Sequence, residues 1–256
     1  MKETRYFYVP GASSADQLPD DESQHAFRVL RLKAGDEVML MDGEGCFFRA
    51  ELTLTSHHKC CYRLLETLPQ RRHWQSRIHI AMAPTKMMER TEWFVEKATE
   101  VGIDECSFVD CRYSERRTIK TERIGRIVVA AAKQSRKAWM PQVNGMESFE
   151  SFVASHPKGR RYIAHCYEEI ERVSLFGHLR HAFSSASLSD SHHSAHTDNA
   201  GSDDIIVMIG PEGDFSIDEV RMAVSAGFVS VDLGESRLRT ETAALAAVMM
   251  IHLAQK

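Results

Sequence analysis

A chain of 256 residues with 43% apolar content and a net charge of −4 can bury a substantial core, as one large domain or two modest ones. No apolar run approaches the ~18 residues of a membrane-spanning helix, and the start, Met-Lys-Glu-Thr-Arg-Tyr-Phe, lacks the apolar core of a secretory signal, so a cytoplasmic protein with no membrane partner is expected. Six scattered cysteines with no Cys-x-x-Cys pair argue for free thiols in a reducing compartment and against a structural zinc, so no metal is expected.

Residues 1–72 read as β-rich. Asp36 to Gly45 is a strand followed by a glycine turn, Phe47 to Leu54 alternates and returns as its partner, and Tyr62 to Leu65 is a further strand. Between them, Glu22 to Leu32 reads as a short helix. Arg28 and Arg31, at i and i+3, would share one face of it. A small barrel fits this pattern.

From about residue 75 strands alternate with helices. Arg77 to Ala83 is a strand, and Met88 to Val101 a helix with Trp93, Phe94 and Val101 near one face and Gly102 as its stop. Cys106 to Cys111 is a strand, and Thr121 to Trp139 a helix ended by Pro141. Residues 112–137 hold nine Lys/Arg against Glu115 and Glu122, whereas residues 203–256 hold four Lys/Arg against nine Asp/Glu. The basic stripe is either the footprint of a phosphate-rich partner or a solvated helix face. Tyr162 to Cys166 is a strand, and a helix starts from about Glu171. The alternation implies a largely parallel sheet covered on both faces. Residues 184–204, rich in Ser, His and Asp, read as a disordered surface insertion. Its His192, His193 and His196 offer only adventitious metal capture, because nothing preorganises them.

The most informative stretch runs from Ile205 to Glu219. An apolar β-branched run breaks at Gly210-Pro211-Glu212-Gly213, and Ser216 precedes Glu219 by three residues, a capping box that opens a helix. Val229 to Leu233 is a second short strand, Gly234 to Thr242 a loop, and Ala243 onward a helix apolar nearly all round. Ligands of open α/β sheets sit at such strand ends. No Gly-x-Gly-x-x-Gly and no Walker-type loop is present, which leaves nucleoside-triphosphate and hydride-transfer chemistry without its usual phosphate cradle.

Four segments together resemble one family, the bacterial 16S ribosomal RNA uridine-N3 methyltransferases of the SPOUT superfamily. They are Ile209 to Gly213, Leu233 to Ala244, Glu89 to Gly102, and His25 to Leu32 with Asp42-Gly43. The resemblance implies an α/β fold: a C-terminal SPOUT methyltransferase domain with a trefoil knot over residues 75–256, and a small N-terminal PUA-like RNA-binding β-barrel over residues 1–72. It implies S-adenosylmethionine as cofactor, 16S rRNA of the small ribosomal subunit as partner, and a homodimer. His165, Ile209, Gly210, Pro211, Glu212, Gly213, Leu233, Gly234, Ser236, Leu238, Arg239 and Thr240 would bind the cofactor. Arg5, His25, Arg28, Arg31, Lys86, Arg116 and Arg136 are the RNA-contact candidates. The family often has glycine after Gly-Pro-Glu-Gly, where this chain has Asp214, a side chain placed to cap the following helix.

Methylation at uridine N3 needs a group that takes the N3 proton and one that steadies the anion spread over O2 and O4. Arg239 and Glu241 are the catalytic candidates. Arg239 either steadies the anion or pairs to hold the loop, and Glu241 either takes the proton or satisfies a helix dipole. A tRNA or ribose-hydroxyl target on the same fold, and a non-catalytic RNA-binding assembly factor, are the competing readings.

Overall fold

The computed structural model describes residues 4–189 and 204–256. Contacts divide the chain into two units, Met1–His73 with Val129–Met140, and Trp74–Val128 with Pro141–Lys256. The sequence had placed residues 129–140 wholly with the second.

In the first unit β1 (Tyr6–Tyr8) lies parallel to β2 (Glu37–Met41), which pairs antiparallel with β3 (Cys46–Thr55), itself antiparallel to β4 (Cys60–Pro69). Alternate residues Val38 and Leu40, then Phe48, Ala50 and Leu52, share one buried cluster with Phe7, Leu18 and Tyr62. The β2–β3 turn needs glycine at Gly45, where φ is +112° and a Cβ would stand 2.3 Å from the Trp139 ring. The buried Glu22 accepts Lys133 Nζ on both carboxylate oxygens, at 2.7 and 2.8 Å, and the Tyr8 N–H at 3.1 Å.

The Glu22–Leu32 helix is shorter than its sequence suggests. Asp20–Gln24 is α1, His25–Val29 widens into a π-helical turn, and Arg31 leaves it at φ +53°. Arg28 and Arg31 therefore do not share a helix face, because the backbone reverses between them.

The second unit is a seven-stranded parallel sheet. In chain order it comprises β5 (Ile78–Met82), α2 (Met88–Val101), β6 (Glu105–Asp110), α3 (Thr121–Ser135), β7 (Gln142–Ser148), α4 (Phe149–Ser155), β8 (Arg160–Ala164), β9 (Val173–Ser174), α5 (Leu175–Ser189), β10 (Ile205–Ile209), α6 (Ile217–Ser225), β11 (Val229–Asp232) and α7 (Thr240–Ala254). The second half of α3 is counted with the first unit. The sheet order is β7-β6-β5-β10-β8-β11-β9. Thus β10 enters between β5 and β8, and β11 between β8 and β9. All five residues of β10 are buried. Ile206 and Met208 join Phe149, Phe152, Phe215 and Val220 in one cluster. On the other side α7 packs against α2, α5, β5 and β10.

Several boundaries moved. Arg136, at φ +54°, ends α3 after Ser135 well before Pro141. α5 begins at Leu175 after a two-residue strand, and it continues to Ser189, into the segment expected to be disordered. The remainder of that segment, with His192, His193 and His196, lies outside the described residues. α7 starts three residues earlier than expected. On α2 the buried residues are Thr91, Phe94, Val95, Ala98 and Thr99, whereas Trp93 is 42% exposed. β7 and α4 were not anticipated, and Ser148 caps α4 by accepting the Ser151 N–H. All six cysteines are free. Among the described residues no helix is long and apolar enough to cross a membrane, and no His/Cys/Asp/Glu group could hold a metal ion.

His79 on β5 is 3% exposed, with Nε2 2.8 Å from Ser107 Oγ and Nδ1 3.8 Å from Glu105. Burial, then His156 and Arg77, lowers its pKa from 6.5 to about 3. Below the ordinary histidine range the unfolded chain takes up a proton that the folded chain refuses. Stability is therefore full above pH 6.5 and falls as pH drops toward 3. The histidine's share of that slope approaches ~1.4 kcal/mol per pH unit. Urea unfolding between pH 4 and 8 should show a shallower acid limb for His79→Gln, by close to one proton.

Candidate functional site

A cavity of about 360 Å³ opens at the carboxyl ends of β10, β8 and β11, within the range of small-molecule sites. Ala164, His165 and Cys166 come from β8 and the residues after it. Ile209 to Glu212 and Asp214 follow from β10, and Val231 to Gly234 from β11. Ser236 to Arg239, then Thr240 and Ala243 of α7, complete the wall with Arg172.

The turn after β10 is closed by its own backbone and one carboxylate. A Cβ on Gly210 would lie 2.9 Å from the Phe215 nitrogen, against backbone and not in the cavity. A Gly210→Val change would therefore distort the turn rather than merely fill the ligand space. Asp214 has φ +68°, a left-handed conformation that aspartate tolerates better than most residues. Its Oδ2 accepts the Cys166 N–H at 2.8 Å, and Oδ1 accepts the Phe215 N–H at 2.7 Å. It ties the β8 end to the β10 end and does not cap α6. Ser216 and Glu219 do that, by a reciprocal capping box. The Lys86 N–H donates to Glu212 at 2.9 Å.

His165 is 5% exposed and lines the cavity. Its Nδ1 accepts the Tyr167 N–H at 3.2 Å, which assigns the ring proton to Nε2. That nitrogen is buried and has no hydrogen-bond partner. Burial lowers the His165 pKa, with Asp214 opposing and Arg172 assisting, so the ring is neutral at neutral pH. The cavity wall thus contains an N–H donor without a partner. Gly234, which also lines the cavity, adopts φ +105° beside open space, so its glycine serves the backbone dihedral.

Of the residues expected at the cofactor, all but Gly213 line this cavity. A Cβ at Gly213 would instead face Tyr113, at 3.2 Å. Arg239 lines it and caps α7 at φ −71°, ψ 155°, whereas Glu241 does not reach it. Glu241 belongs to a second, more open hollow of about 630 Å³, with Glu89, Arg90, Trp93 and Thr242. Arg237, Leu238 and Arg239 line both hollows.

The RNA-contact candidates are dispersed. In the first unit His25, Arg28 and Arg31 are exposed around the π-helical turn. Arg5 is exposed beside β1, and the Arg136 guanidinium lies 5.5 Å over the Tyr6 ring. In the second unit Arg116 donates to the Thr85 and Lys86 carbonyls, and Lys86 Nζ pairs with Glu115 at 2.7 Å. Arg116 holds a loop, and Lys120 and Arg126 of the stripe are exposed beside a third hollow. Sequence reasoning missed Arg172, Arg90 and Trp93. No local signal marks the first two, since they line the hollows from distant parts of the chain.

Replacing Asp214 separates its two jobs. Asp214→Gly should relieve the left-handed backbone while losing the Cys166 bond. Asp214→Ala should lose the bond and retain strain, so its thermal unfolding should lie below that of the glycine variant by ~1 kcal/mol.

Comparison with known proteins places this architecture. Residues 72–252 match the family described as an RNA methyltransferase domain, and residues 18–64 match an RNA methyltransferase PUA domain. A solved structure of a probable rRNA-methyltransferase from Porphyromonas gingivalis is 41% identical, covers 98% of each chain, and superposes with a TM-score of 0.81. A ribosomal RNA small subunit methyltransferase E from Neisseria gonorrhoeae, solved with S-adenosyl methionine bound, is 25% identical over 98% of each chain, with a TM-score of 0.78. The protein of that name from Synechocystis is 29% identical over 230 residues, spanning 88% of this chain and 68% of the relative. With a two-domain match of this extent, a parallel sheet and a cavity at its strand ends, this chain belongs to the RNA methyltransferase family.

Proposed function

We propose that this chain is an S-adenosylmethionine-dependent methyltransferase acting on N3 of a uridine in 16S rRNA of the small ribosomal subunit. The observation that carries the reading is the cavity at the ends of β8, β10 and β11, lined by His165, whose buried Nε2 has no hydrogen-bond partner. Its volume and its backbone-rich walls suit an adenosine, whose edge the Ile209–Glu212 and Leu233–Thr240 segments would read with N–H and C=O groups. The bound cofactor would supply a methyl group on a positively charged sulfur.

The protein's own residues then have to position, discharge and exclude water. Arg239, on the rim shared with the second hollow, offers a permanent positive charge to an anion growing over O2 and O4. Glu241 offers a carboxylate for the N3 proton. Because N3 lies on the Watson–Crick edge, the target must be unpaired or splayed before reaction. The names of the relatives and the PUA-domain match support rRNA as substrate, with the first unit holding RNA through exposed residues such as His25, Arg28 and Arg31. The interleaved strand order β5-β10-β8-β11-β9 supports a trefoil knot in the second unit.

Mass spectrometry of nucleosides from 16S rRNA of a strain lacking this gene tests the reaction. Loss of 3-methyluridine, restored by the wild-type gene, is expected. Loss of a ribose-methylated nucleoside instead, or no loss, overturns the uridine-N3 assignment.

We also propose a homodimer. α7 buries Ala244, Ala247, Val248 and Ile251 within its own unit, yet leaves Met249 and Leu253 exposed at 42% and 51% on successive turns. An apolar pair at this spacing on a helix face suits a second copy of the chain. Sedimentation across a dilution series should show a dimer that Met249→Glu splits without unfolding. A wild-type monomer at all concentrations overturns this.

A further inference from the structure

The hollow beside the cavity holds a buried carboxyl side chain with one oxygen unpartnered. Glu241 is 7% exposed, and its Oε2 has no hydrogen-bond partner. Its other oxygen stands 3.9 Å from Arg90 Nε, too far for a hydrogen bond. A buried carboxylate left this way is costly unless something donates to it. The same hollow is lined by the half-exposed indole of Trp93 and by Arg239, which also reaches the first cavity.

We propose that this hollow is the pocket of the acceptor base, and that it reads the Watson–Crick edge of uracil. The inference rests on the methyltransferase reading above and deepens it. That edge presents an acceptor, a donor and an acceptor: O4, N3–H and O2. Arg90, Glu241 and Arg239 present a donor, an acceptor and a donor. Cytosine, with an amino donor at C4 and a bare N3, would set donor against Arg90 or Arg239 and leave Glu241 without a proton to accept. Trp93 supplies a flat apolar face on which the splayed ring stacks. In the transfer, the N3–H bond breaks and its proton passes to Glu241 Oε2. The N3 electron pair forms the new N–C bond to the methyl group, and the C–S bond electrons leave on sulfur. Glu241 is thus a catalytic residue, and its proton passes afterwards to solvent.

The test uses the full chain with small ribosomal subunits from the deletion strain. Glu241→Gln should retain S-adenosylmethionine affinity and lower kcat by about 10²–10⁴-fold. Subunits carrying 5-fluorouridine, whose N3 proton is more acidic, should restore much of the lost rate in this variant. A purely structural role for Glu241 predicts no such rescue. Trp93→Ala should raise KM about 10-fold, and Trp93→Phe should recover most of it. An uncoupled binding readout is tryptophan fluorescence. Oligo(U) should quench it in the wild type, oligo(C) should not, and Trp93→Phe should abolish the quench. Wild-type kcat in Glu241→Gln, absence of the 5-fluorouridine rescue, or equal quenching by both oligonucleotides overturns the proposal. A wild-type chain that transfers no methyl group to the subunits sinks the parent reading instead, and the quenching comparison then still decides the pocket.

Discussion

The second unit depends on the insertion of one strand. β10 pairs in register with β5 on one edge and β8 on the other, so its five backbone units are satisfied on both sides. Only a run of uniformly apolar residues can occupy that place, because both faces are covered. Ile205 to Ile209 is such a run, and all of it is buried. Once β10 is seated, its carboxyl end lies beside that of β8, and β11 adds a third end from the far side of β8. The cavity is the consequence of three chain ends rising from adjacent strands with their loops turned over them.

The loops are held by polar groups that a turn of this kind can satisfy in few ways. Asp214 takes a left-handed backbone and uses both carboxylate oxygens on N–H groups, one of them from the β8 side. Glu219 takes the Ser216 N–H and hydroxyl on one oxygen and the Arg112 N–H on the other. These carboxylates are internally occupied. His165 Nε2 and Glu241 Oε2 are the contrast, buried without a hydrogen-bond partner, His165 at the first cavity and Glu241 at the second hollow.

Position explains why some residues were legible beforehand and others were not. The strand–turn–helix grammar around Gly210 and the capping box at Ser216 are local, so residue type and spacing reveal them. The Arg28–Arg31 pairing failed for an equally local reason, since a π-helical turn and a left-handed Arg31 override the 3.6-residue period. β7 was missed because an edge strand half open to solvent has no clean apolar alternation. Arg116, expected as an RNA contact in the basic stripe, also donates Nε and Nη2 to two backbone carbonyls of a distant loop.

The sequence alone determined that the chain is α/β in its larger part and β-rich at its start. It also marked the two glycine-bearing loops that line one cavity, because backbone dihedrals and apolar periods are written in neighbouring residues. Only the tertiary structure decided which side chains share a wall. Arg90 and Trp93 lie roughly 150 positions before Glu241, and no local pattern couples them. The packing of α2 against α7 brings them together. The same packing divides Arg239 and Glu241, two residues apart in the chain, so that one borders the first cavity and the other faces only the second. Successive positions at a helix start point in different directions, and the surrounding fold supplies what each one meets.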